Sequence, residues 1–596
     1  MPSIALYEPA RRRGLVRPAV AFTAAAITGI ALAALPQPAA HAAGETVNIW
    51  LTTTNDSAGR SVTRGLQQQS PLSFASSSAN ASQTITVNEN NQYQSFIGAG
   101  ASMTDTAAYD IDTLSSTTKN QVMTNLFSPT SGIGLDWLRN PMGASDLARY
   151  NYSYDDMPAG QTDPNLNNFS ISHDLVDILP LTKQAQQLNP SLKIMGVPWS
   201  APAWMKDNDK FTNRGWLESQ YYAAYAQYFV KYIQAYQANG VHIDYVSAQN
   251  EPTCCGTDDT DYGSMNWNGS GLDYFSVNDL LPAFHAAGLT TKLLLLDYNW
   301  SNYDDLGSVP MGDATLRNDS LFGGIAWHGY GGDVSEQTTI HNQYPNVDAF
   351  DTEHSGGTWI TNQQKEDMEN IINYTRNWGR TVTKWSLAVD QNMGPYIQGG
   401  CGTCTGLVTV HNGDSRSGQV DYTIEYYDMG QLTKFVKPGA RRIDSTDNST
   451  IRNVAWKNPD GSKALVAYNE STSTQSVKVN WGNESFTYNL PGATSATFVW
   501  NGTQGSGGPS GVISLRAHAN GDYVTADNAG SSPLIANRTA IGTWEEFDLI
   551  NNADGSVSFR AHANGDIVTA ENAGASALIA NRTAIGTWEE FDLIQD

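Results

Sequence analysis

Apolar residues in the middle of the chain recur in short blocks that alternate with longer amphipathic stretches. Several blocks are rich in Ile, Leu, Val and aromatic residues, which is typical of strands buried on both faces. The eight strand-like segments are residues 95–101, 135–141, 192–198, 243–249, 292–297, 324–328, 349–352 and 383–389. One intervening stretch, residues 217–239, has helical spacings of three and four between its aromatic residues Tyr222, Tyr225, Phe229 and Tyr232. This alternation predicts an α/β fold, a (β/α)8 TIM barrel over residues 95–436.

Both flanks of the predicted barrel contain segments in which apolar and polar residues alternate. Residues 44–94 include Thr-Ile-Thr-Val at 84–87, and residues 437–500 include Ser-Val-Lys-Val-Asn at 476–480. A period of two indicates strands with one buried face. The two flanks are therefore predicted to form one β-sandwich attached to the barrel.

The C-terminal tail, residues 511–596, is an internal repeat that follows a Gly- and Ser-rich linker at 501–510. Residues 515–521 recur 44 positions later as residues 559–565, and each copy closes with Trp-Glu-Glu-Phe-Asp-Leu-Ile. The closing segments are predicted to be strands, with Trp544 and Trp588 in the core beside Phe and Leu; the alternative is that the two tryptophans are sugar platforms. The pair resembles the repeats of fascin-like β-trefoil domains, which often bind carbohydrate. A trefoil has three repeats, so we expect the open edges to be covered by dimerisation or by docking on the catalytic region.

The N-terminus has the pattern of an export signal. Four arginines between positions 11 and 17 precede an apolar run over 19–35, and Ala-His-Ala at 40–42 is a small-x-small cleavage site. A membrane anchor is the alternative, but the run is short and ends at Pro36. Residues 1–43 are therefore predicted to be a signal peptide of a secreted protein, exported by the general or the twin-arginine route.

The formal net charge of −25 restricts the partners. An acidic surface repels phosphate backbones, which argues against nucleic acid, and suits a neutral ligand such as a glycan. Beyond the signal no segment is predicted to insert stably into a membrane.

Four cysteines, an even number, fit disulfides in an exported chain: Cys254, Cys255, Cys401 and Cys404. Three pairings are possible. The alternative, a four-thiolate zinc site, suits them less well because Cys254 and Cys255 have no spacer between them. We expect no metal and no cofactor, and we expect the cysteines to stiffen loops.

Two carboxylates occupy the ends of predicted barrel strands. Glu251 lies in Asn-Glu-Pro directly after the fourth strand, and Glu353 ends the seventh. A lone Glu is usually a solvated loop residue. In a parallel barrel, however, side chains at the C-terminal ends of strands meet at one end. A facing pair of carboxylates is what glycoside hydrolysis requires.

The chain resembles glycoside hydrolase family 30, the glucosylceramidase-like and β-1,6-glucanase-like enzymes. The resemblance spans residues 46–500, and the matching stretches are 96–105, 138–142, 198–206, 249–252 and 385–388. It implies that Glu251 is the acid/base and Glu353 the nucleophile of a retaining mechanism. It also implies that Arg139 lies beside Glu353 and favours its ionised form. Because Glu251 must hold a proton, we expect it to lie away from strong positive charge.

Further site residues are implied by the same resemblance. Asn250 would donate to the sugar 2-hydroxyl, and Asp146 would accept from sugar hydroxyls. Walls of the first sugar subsite would be Trp199 and Trp385, with His328 and Tyr330 near the nucleophile. The structural alternatives are loop caps for Asn250 and Asp146, core packing for both tryptophans and for His328, and a rim ion pair for Arg139. The chain departs from the family at Gly329, where a large aromatic is common, and at residues 390–393.

The sequence thus predicts a secreted retaining β-glycosidase whose partner is a β-linked glycan or glycoside. Hydrolysis of β-glucosides or β-1,6-glucan is the leading prediction. Specificity for β-1,6-galactan, β-fucoside or xylan is the alternative in the same fold, and a non-catalytic glycan-binding protein is the alternative of another class.

Overall fold

The computed structural model describes residues 44–76, 78–255, 262–504, 511–552 and 556–593. The predicted signal peptide and residues 505–510 of the predicted linker lie outside the described residues. Within the described part of the chain, no helix has both the length and the apolar character needed to cross a membrane.

Eight parallel strands form a closed barrel. The strands before it are β1 (Thr46–Thr54), β2 (Val62–Gln68), β3 (Leu72–Ser73) and β4 (Gln83–Ser95). The barrel strands are β5 (Gly98–Ser102), β6 (Trp137–Pro141), β7 (Lys193–Val197), β8 (Tyr245–Ser247), β9 (Lys292–Asn299), β10 (Phe322–His328), β11 (Ala349–Gly357) and β12 (Thr381–Trp385). Each pairs with the next in parallel, and β12 pairs with β5. The predicted barrel and its eight strands are confirmed.

The helices are α1 (Asp105–Asp112), α2 (Ser116–Phe127), α3 (Ile178–Leu188), α4 (Tyr222–Ala238), α5 (Gly269–Phe275), α6 (Leu281–Ala286), α7 (Ser308–Gly312), α8 (Ala314–Arg317), α9 (Ser335–Gln343), α10 (Gln363–Arg376) and α11 (Ile424–Thr433). Helices α1 to α10 lie between the barrel strands, and α11 follows the last of them. Helix α4 is the helix predicted over 217–239, and it buries Tyr225, Phe229 and Tyr232. It begins at Tyr222 because residues 219–221 form a 3-10 turn.

Large side chains fill the barrel interior and leave only its upper end for a site. Trp137, Met195 and Phe350 are fully buried there, and the Trp137 ring lies 6.1 Å from that of Phe350. Since alternate residues of a strand share a face, Arg139 of β6 points inward one layer above Trp137. Polar residues near the strand ends thus converge above an apolar plug.

The seventh barrel strand differs from its prediction. It was expected to end at residue 352, but β11 continues to Gly357. Beyond the barrel it pairs with a new strand, β14 (Cys404–Thr405), which prolongs its ladder. The eighth strand ends earlier than predicted, at Trp385. The following β13 (Ala388–Asp390) joins a separate sheet with β15 (Val408–Val410) and β16 (Val420–Tyr422).

The two flanks of the barrel form one ten-stranded sheet folded over its own core, the predicted β-sandwich. The C-terminal strands are β17 (Arg441–Ser445), β18 (Ile451–Lys457), β19 (Lys463–Asn469), β20 (Gln475–Trp481), β21 (Glu484–Leu490) and β22 (Thr494–Trp500). β1 pairs with β22, and β4 lies between β17 and β20. The buried side chains of Ile49, Val479 and Phe498 are part of the shared core.

The tail is all β. Its strands are β23 (Gly511–Ile513), β24 (Tyr523–Thr525), β25 (Ile535–Arg538), β26 (Phe547–Asn551), β27 (Val557–Ala561), β28 (Ile567–Ala570) and β29 (Leu578–Arg582). Trp544 and Trp588 are 37% and 42% exposed, so their expected core position is wrong. The reason is that Trp544 precedes β26: Glu545 closes a turn onto Gly542, and the strand period begins only at Phe547.

Candidate active site

Two glutamates face each other at the C-terminal end of the barrel. Glu353 lies within β11, and Glu251 lies four residues beyond β8. A carboxylate oxygen of each and a ring nitrogen of His328 all lie within 4.8 Å of one another. Their side chains are only 16% and 8% exposed, for Glu251 and Glu353 respectively. A separation of about 5 Å is that of an attacking and a protonating carboxyl group.

The backbone at Glu251 is unusual. Its φ is +41°, in the left-handed region that residues other than glycine seldom adopt. The Glu251 amide donates to the Asp297 carbonyl at 3.0 Å, and the Asn250 amide to the Pro198 carbonyl at 2.9 Å. These bonds tie the turn to the neighbouring strand ends, so the packed barrel holds a conformation that the local sequence does not favour.

Arg139 anchors the site from below. It is fully buried, and its Nη1 donates to Glu353 Oε2 at 2.6 Å. Its Nη2 donates to Asn250 Oδ1 at 2.7 Å and to Asp297 Oδ2 at 3.1 Å. A buried guanidinium needs such partners to offset its lost hydration. The predicted contact of Arg139 with Glu353 is present, and the same cation orients the Asn250 amide.

Asp297, at the end of β9, is a site residue that sequence reasoning missed. Its carboxylate accepts from Arg139, from Ser247 Oγ at 2.6 Å, from Thr352 Oγ1 at 2.7 Å and from His328 Nε2 at 3.1 Å. Burial alone would raise the pKa of Asp297, but the Arg139 charge and the His328 contact hold it below its usual range. The available signal was an acidic residue that closes the fifth predicted strand.

His328 connects Asp297 to both glutamates. Its Nδ1 lies 2.9 Å from Glu251 Oε1 and 3.7 Å from Glu353 Oε1. Burial alone would lower the pKa of His328, but the Glu353 charge and the hydrogen bonds to Asp297 and Glu251 raise it to about 9. Both ring nitrogens have carboxylate partners, so the ring is an imidazolium that donates from each.

The environment of Glu251 differs from the expectation. It was predicted to lie away from positive charge, yet the His328 ring contacts it. Burial nevertheless raises the pKa of Glu251 above its ordinary value. The His328 hydrogen bond opposes this shift, and the Glu353 charge adds to it. Desolvation, and not distance from a cation, is what favours the protonated form.

The remaining predicted residues lie around this pair. Tyr330 Oη donates to Glu353 Oε1 at 2.9 Å and lies 2.8 Å from Ser355 Oγ. Trp199 and Trp385 stack with ring centroids 5.1 Å apart, and the Arg139 guanidinium carbon lies 5.1 Å from the Trp199 ring.

Asp146 completes the set. Its Oδ2 accepts from the Cys401 amide at 3.1 Å. Burial, followed by the Glu353 charge, raises the pKa of Asp146 to about 7. All nine predicted site residues therefore gather at one end of the barrel.

Gly329 has little room for a side chain. A Cβ added at Gly329 would lie 1.8 Å from the Tyr374 hydroxyl oxygen. Tyr374 of α10 is fully buried and fills the space that a larger residue at 329 would need.

The four cysteines form two disulfides, Cys254–Cys255 and Cys401–Cys404. The alternative of a four-thiolate zinc site is therefore wrong. The second bridge closes the loop that contacts Asp146, and Cys404 Sγ lies 3.7 Å from Ser355 Oγ. The first begins three residues after Glu251, and its sulfur atoms lie within 4.8 Å of a Glu251 carboxylate oxygen, so both border the site.

Comparison with known proteins agrees with this geometry. Residues 96–403 match the glycosyl hydrolase family 30 TIM-barrel domain, and residues 439–498 match the family 30 beta sandwich domain. An endo-1,6-beta-D-glucanase of Trichoderma harzianum is 35% identical over 400 residues, which cover 63% of this chain and 78% of that protein. The lysosomal acid glucosylceramidase of Mus musculus is 26% identical, with 70% of this chain and 83% of that protein covered.

A solved structure shows the same architecture. An endo-beta1,6-glucanase superposes with a TM-score of 0.69 at 33% identity, covering 77% of this chain and all of the other. The two family domains, the barrel with its facing carboxylates and these relatives lead to one conclusion: the chain belongs to glycosyl hydrolase family 30 and is an O-glycoside hydrolase.

Proposed function

We propose that the protein hydrolyses β-1,6-glucan with retention, with Glu353 as the nucleophile and Glu251 as the acid/base. The observation that carries this proposal is the unequal environment of two carboxylates whose oxygens lie within 4.8 Å. Glu353 forms an ion pair with the buried Arg139 at 2.6 Å, which holds its carboxylate in place for attack. Burial raises the pKa of Glu251, which favours the protonated form that an acid needs.

In the first step, Glu353 attacks the anomeric carbon while the glycosidic bond breaks. Glu251 gives its proton to the departing oxygen, so the leaving sugar departs as a neutral alcohol. The imidazolium of His328 donates to Oε1 of Glu251. The Glu251 proton then belongs on Oε2, the oxygen left for the substrate.

In the second step, Glu251 is a carboxylate and takes a proton from water. The water oxygen attacks the anomeric carbon, and the bond to Glu353 breaks. Because Arg139 occupies Asn250 Oδ1, the NH2 group of Asn250 is the end that donates to the sugar 2-hydroxyl. Trp199, Trp385, Tyr330 and Asp146 complete the subsite for the sugar that is transferred.

The choice of substrate is supported by the relatives. Both the Trichoderma protein and the solved structure are described as endo-β-1,6-glucanases, at 35% and 33% identity. The glucosylceramidase is more distant, at 26% identity. A β-1,6-linked glucan is therefore the leading substrate, and β-1,6-galactan, β-fucosides, xylan and glucosylated lipid are the competing ones.

Digestion of β-1,6-glucan is expected to release oligosaccharides whose first-formed reducing ends are β. Proton NMR of the nascent anomer and product sizing measure this, with the competing substrates digested in parallel. Initial α-anomers would contradict the double displacement. Faster turnover of galactan, xylan, fucoside or lipid would transfer the substrate proposal to that compound and leave the mechanism intact.

We also propose that the protein acts outside the cell and that the tail holds it on insoluble glycan. Trp544 and Trp588 occupy equivalent positions in the two repeats and are both exposed, as sugar-stacking residues must be.

Truncation after Ser510 is expected to preserve turnover of small aryl glycosides and to lower activity on insoluble glycan several-fold, because the local substrate concentration falls. The full chain with Trp544→Ala and Trp588→Ala is the matched control and should show the same selective loss. A folded truncated enzyme that loses aryl-glycoside activity would refute a separable tail. Unchanged binding to insoluble glycan would refute its role.

A further inference from the structure

The disulfide between the adjacent residues Cys254 and Cys255 has no part in the mechanism above, yet it borders the reacting atoms. Both sulfur atoms and a carboxylate oxygen of Glu251 lie within 4.8 Å of one another. Both cysteines are half-buried, so the bridge is partly open to solvent. The Cys254 amide donates to the Glu251 carbonyl at 3.0 Å, which fixes the bridge relative to the carboxyl group.

The distance from the sulfur atoms to Glu251 indicates which part of a bound substrate lies near the bridge. An acid/base carboxyl has to lie within hydrogen-bond reach, about 3 Å, of the oxygen that it protonates. With the 4.8 Å limit above, the sulfurs lie within about 8 Å of the glycosidic oxygen. That is roughly the length of one sugar ring. A sugar joined through that oxygen on the side of the bridge is therefore within reach of the sulfur atoms.

The contacts of the bridge indicate which of the two sugars this is. The residues around Glu353 are Arg139, Tyr330, Trp199, Trp385 and Asp146, and they surround the sugar that is transferred. The cysteines instead contact Glu251 and Arg214, whose Nε donates to the Cys255 carbonyl at 3.1 Å. Tyr298 of β9 is half-buried, and burial raises its pKa. Tyr298 also lies close enough to Glu251 and Arg214 for their charges to shift this pKa, and its ring lies 6.4 Å from that of His328.

We propose that the Cys254–Cys255 bridge is the platform of the leaving-group subsite and stacks against the pyranose ring that Glu251 protonates. This rests on the proposed function. A disulfide between neighbours closes a small covalent ring whose face is polarisable and lacks strong hydrogen-bond donors. Such a face suits the C–H face of a sugar, as a soft sulfur suits an apolar partner. Arg214 fixes the platform, and hydroxyls of the same sugar lie within reach of the Arg214 and Tyr298 side chains.

The test compares substrates that differ only in the leaving group. β-Glucosyl fluoride has no leaving sugar, whereas a β-1,6-linked glucose disaccharide does. In the full chain, the double variant C254S/C255S is expected to lower kcat/KM for the disaccharide roughly 5- to 10-fold, the scale of one lost stacking contact. Its kcat/KM for the fluoride should be unchanged. Transfer from the fluoride to added glucose should fall in the same proportion relative to hydrolysis.

The matched control is C401S/C404S. That bridge lies against Asp146 and Ser355, in the subsite of the transferred sugar, so both substrates should lose kcat/KM by a similar factor. Treating C401S/C404S with a phosphine reductant then opens only Cys254–Cys255, and it should add the disaccharide-selective loss without any new side chain. Thermal unfolding checks that each variant is folded.

Two results would overturn the subsite. Equal losses on both substrates in folded C254S/C255S would mean that the bridge only positions Glu251. No loss on either would mean that the leaving sugar does not touch it. An unaltered enzyme that cleaves neither substrate would instead refute the proposed function, and the subsite with it.

Discussion

Glu353→Gln is expected to lower kcat/KM for every β-glycoside by roughly 10⁴-fold or more, whatever the leaving group, the scale of loss when a nucleophile is removed. An amide cannot form the glycosyl ester on which both steps depend. The fold should persist, because Arg139 keeps its contacts to Asn250 and Asp297. Steady-state kinetics on activated and unactivated glucosides measure the effect.

Covalent trapping gives an independent check. A 2-deoxy-2-fluoroglucoside with a good leaving group should label the unaltered enzyme on the peptide that contains Glu353, detected by mass spectrometry. Tyr330→Phe is the matched control, since it removes one 2.9 Å hydrogen bond to Glu353 and keeps the carboxylate. The kcat/KM of this variant should fall roughly 10- to 100-fold, the contribution of one hydrogen bond to a charged group. The variant should still be labelled. A label on another residue would contradict the assignment.

Glu251→Ala is expected to separate substrates by their leaving groups. Unactivated glucan should lose roughly 10²- to 10⁴-fold in kcat/KM, the contribution of a general acid. The kcat/KM for dinitrophenyl glucoside should fall far less, because its leaving group needs little protonation. Azide should restore turnover and give a β-glucosyl azide, because it attacks the glycosyl enzyme without base assistance.

The same variant should change the pH profile. In the unaltered enzyme, kcat/KM is expected to fall as pH rises through the pKa of Glu251, which burial raises above its ordinary value, because the proposed acid is then deprotonated. Glu251→Ala should lack this alkaline limb on dinitrophenyl glucoside. Equal losses on activated and unactivated substrates, or an unchanged alkaline limb, would reverse the assignment of the two glutamates.

The barrel could be predicted from the sequence because its strands are buried on both faces and recur between helices. The facing positions of Glu251 and Glu353 could be predicted from the barrel, because the C-terminal ends of its parallel strands meet at one end. Asp297 could not be assigned in this way, because its role depends on donors from four separate strands: Arg139, Ser247, Thr352 and His328. Such a convergence exists only after the barrel closes.

The lack of space for a side chain at Gly329 also depends on a distant residue, Tyr374, which lies 45 positions along the chain and packs against it. Two expectations failed for more local reasons. The expected core position of Trp544 and Trp588 failed because Trp544 lies in a turn three positions before Phe547, an odd spacing that strand alternation would place on the opposite face. Glu251 was expected to avoid positive charge, because a nearby cation lowers the pKa of a carboxyl group. Burial, which a sequence does not show, raises the pKa of Glu251 by more than the His328 contact lowers it.

The extension of β11 beyond the barrel has a consequence for how accurately the proposed nucleophile is held. Glu353 is paired with His328 of β10 just after an irregularity in that ladder, and the residues that follow it pair with β12 and β14. Its main chain thus lies within a strand that has neighbours on both sides. The conformational entropy of the Glu353 carboxylate is lost once, during folding, so it does not have to be lost again in each turnover. Glu251, in contrast, lies on a turn that single hydrogen bonds tie to the neighbouring strand ends. In the proposed mechanism this one carboxyl group serves first the leaving oxygen and then water.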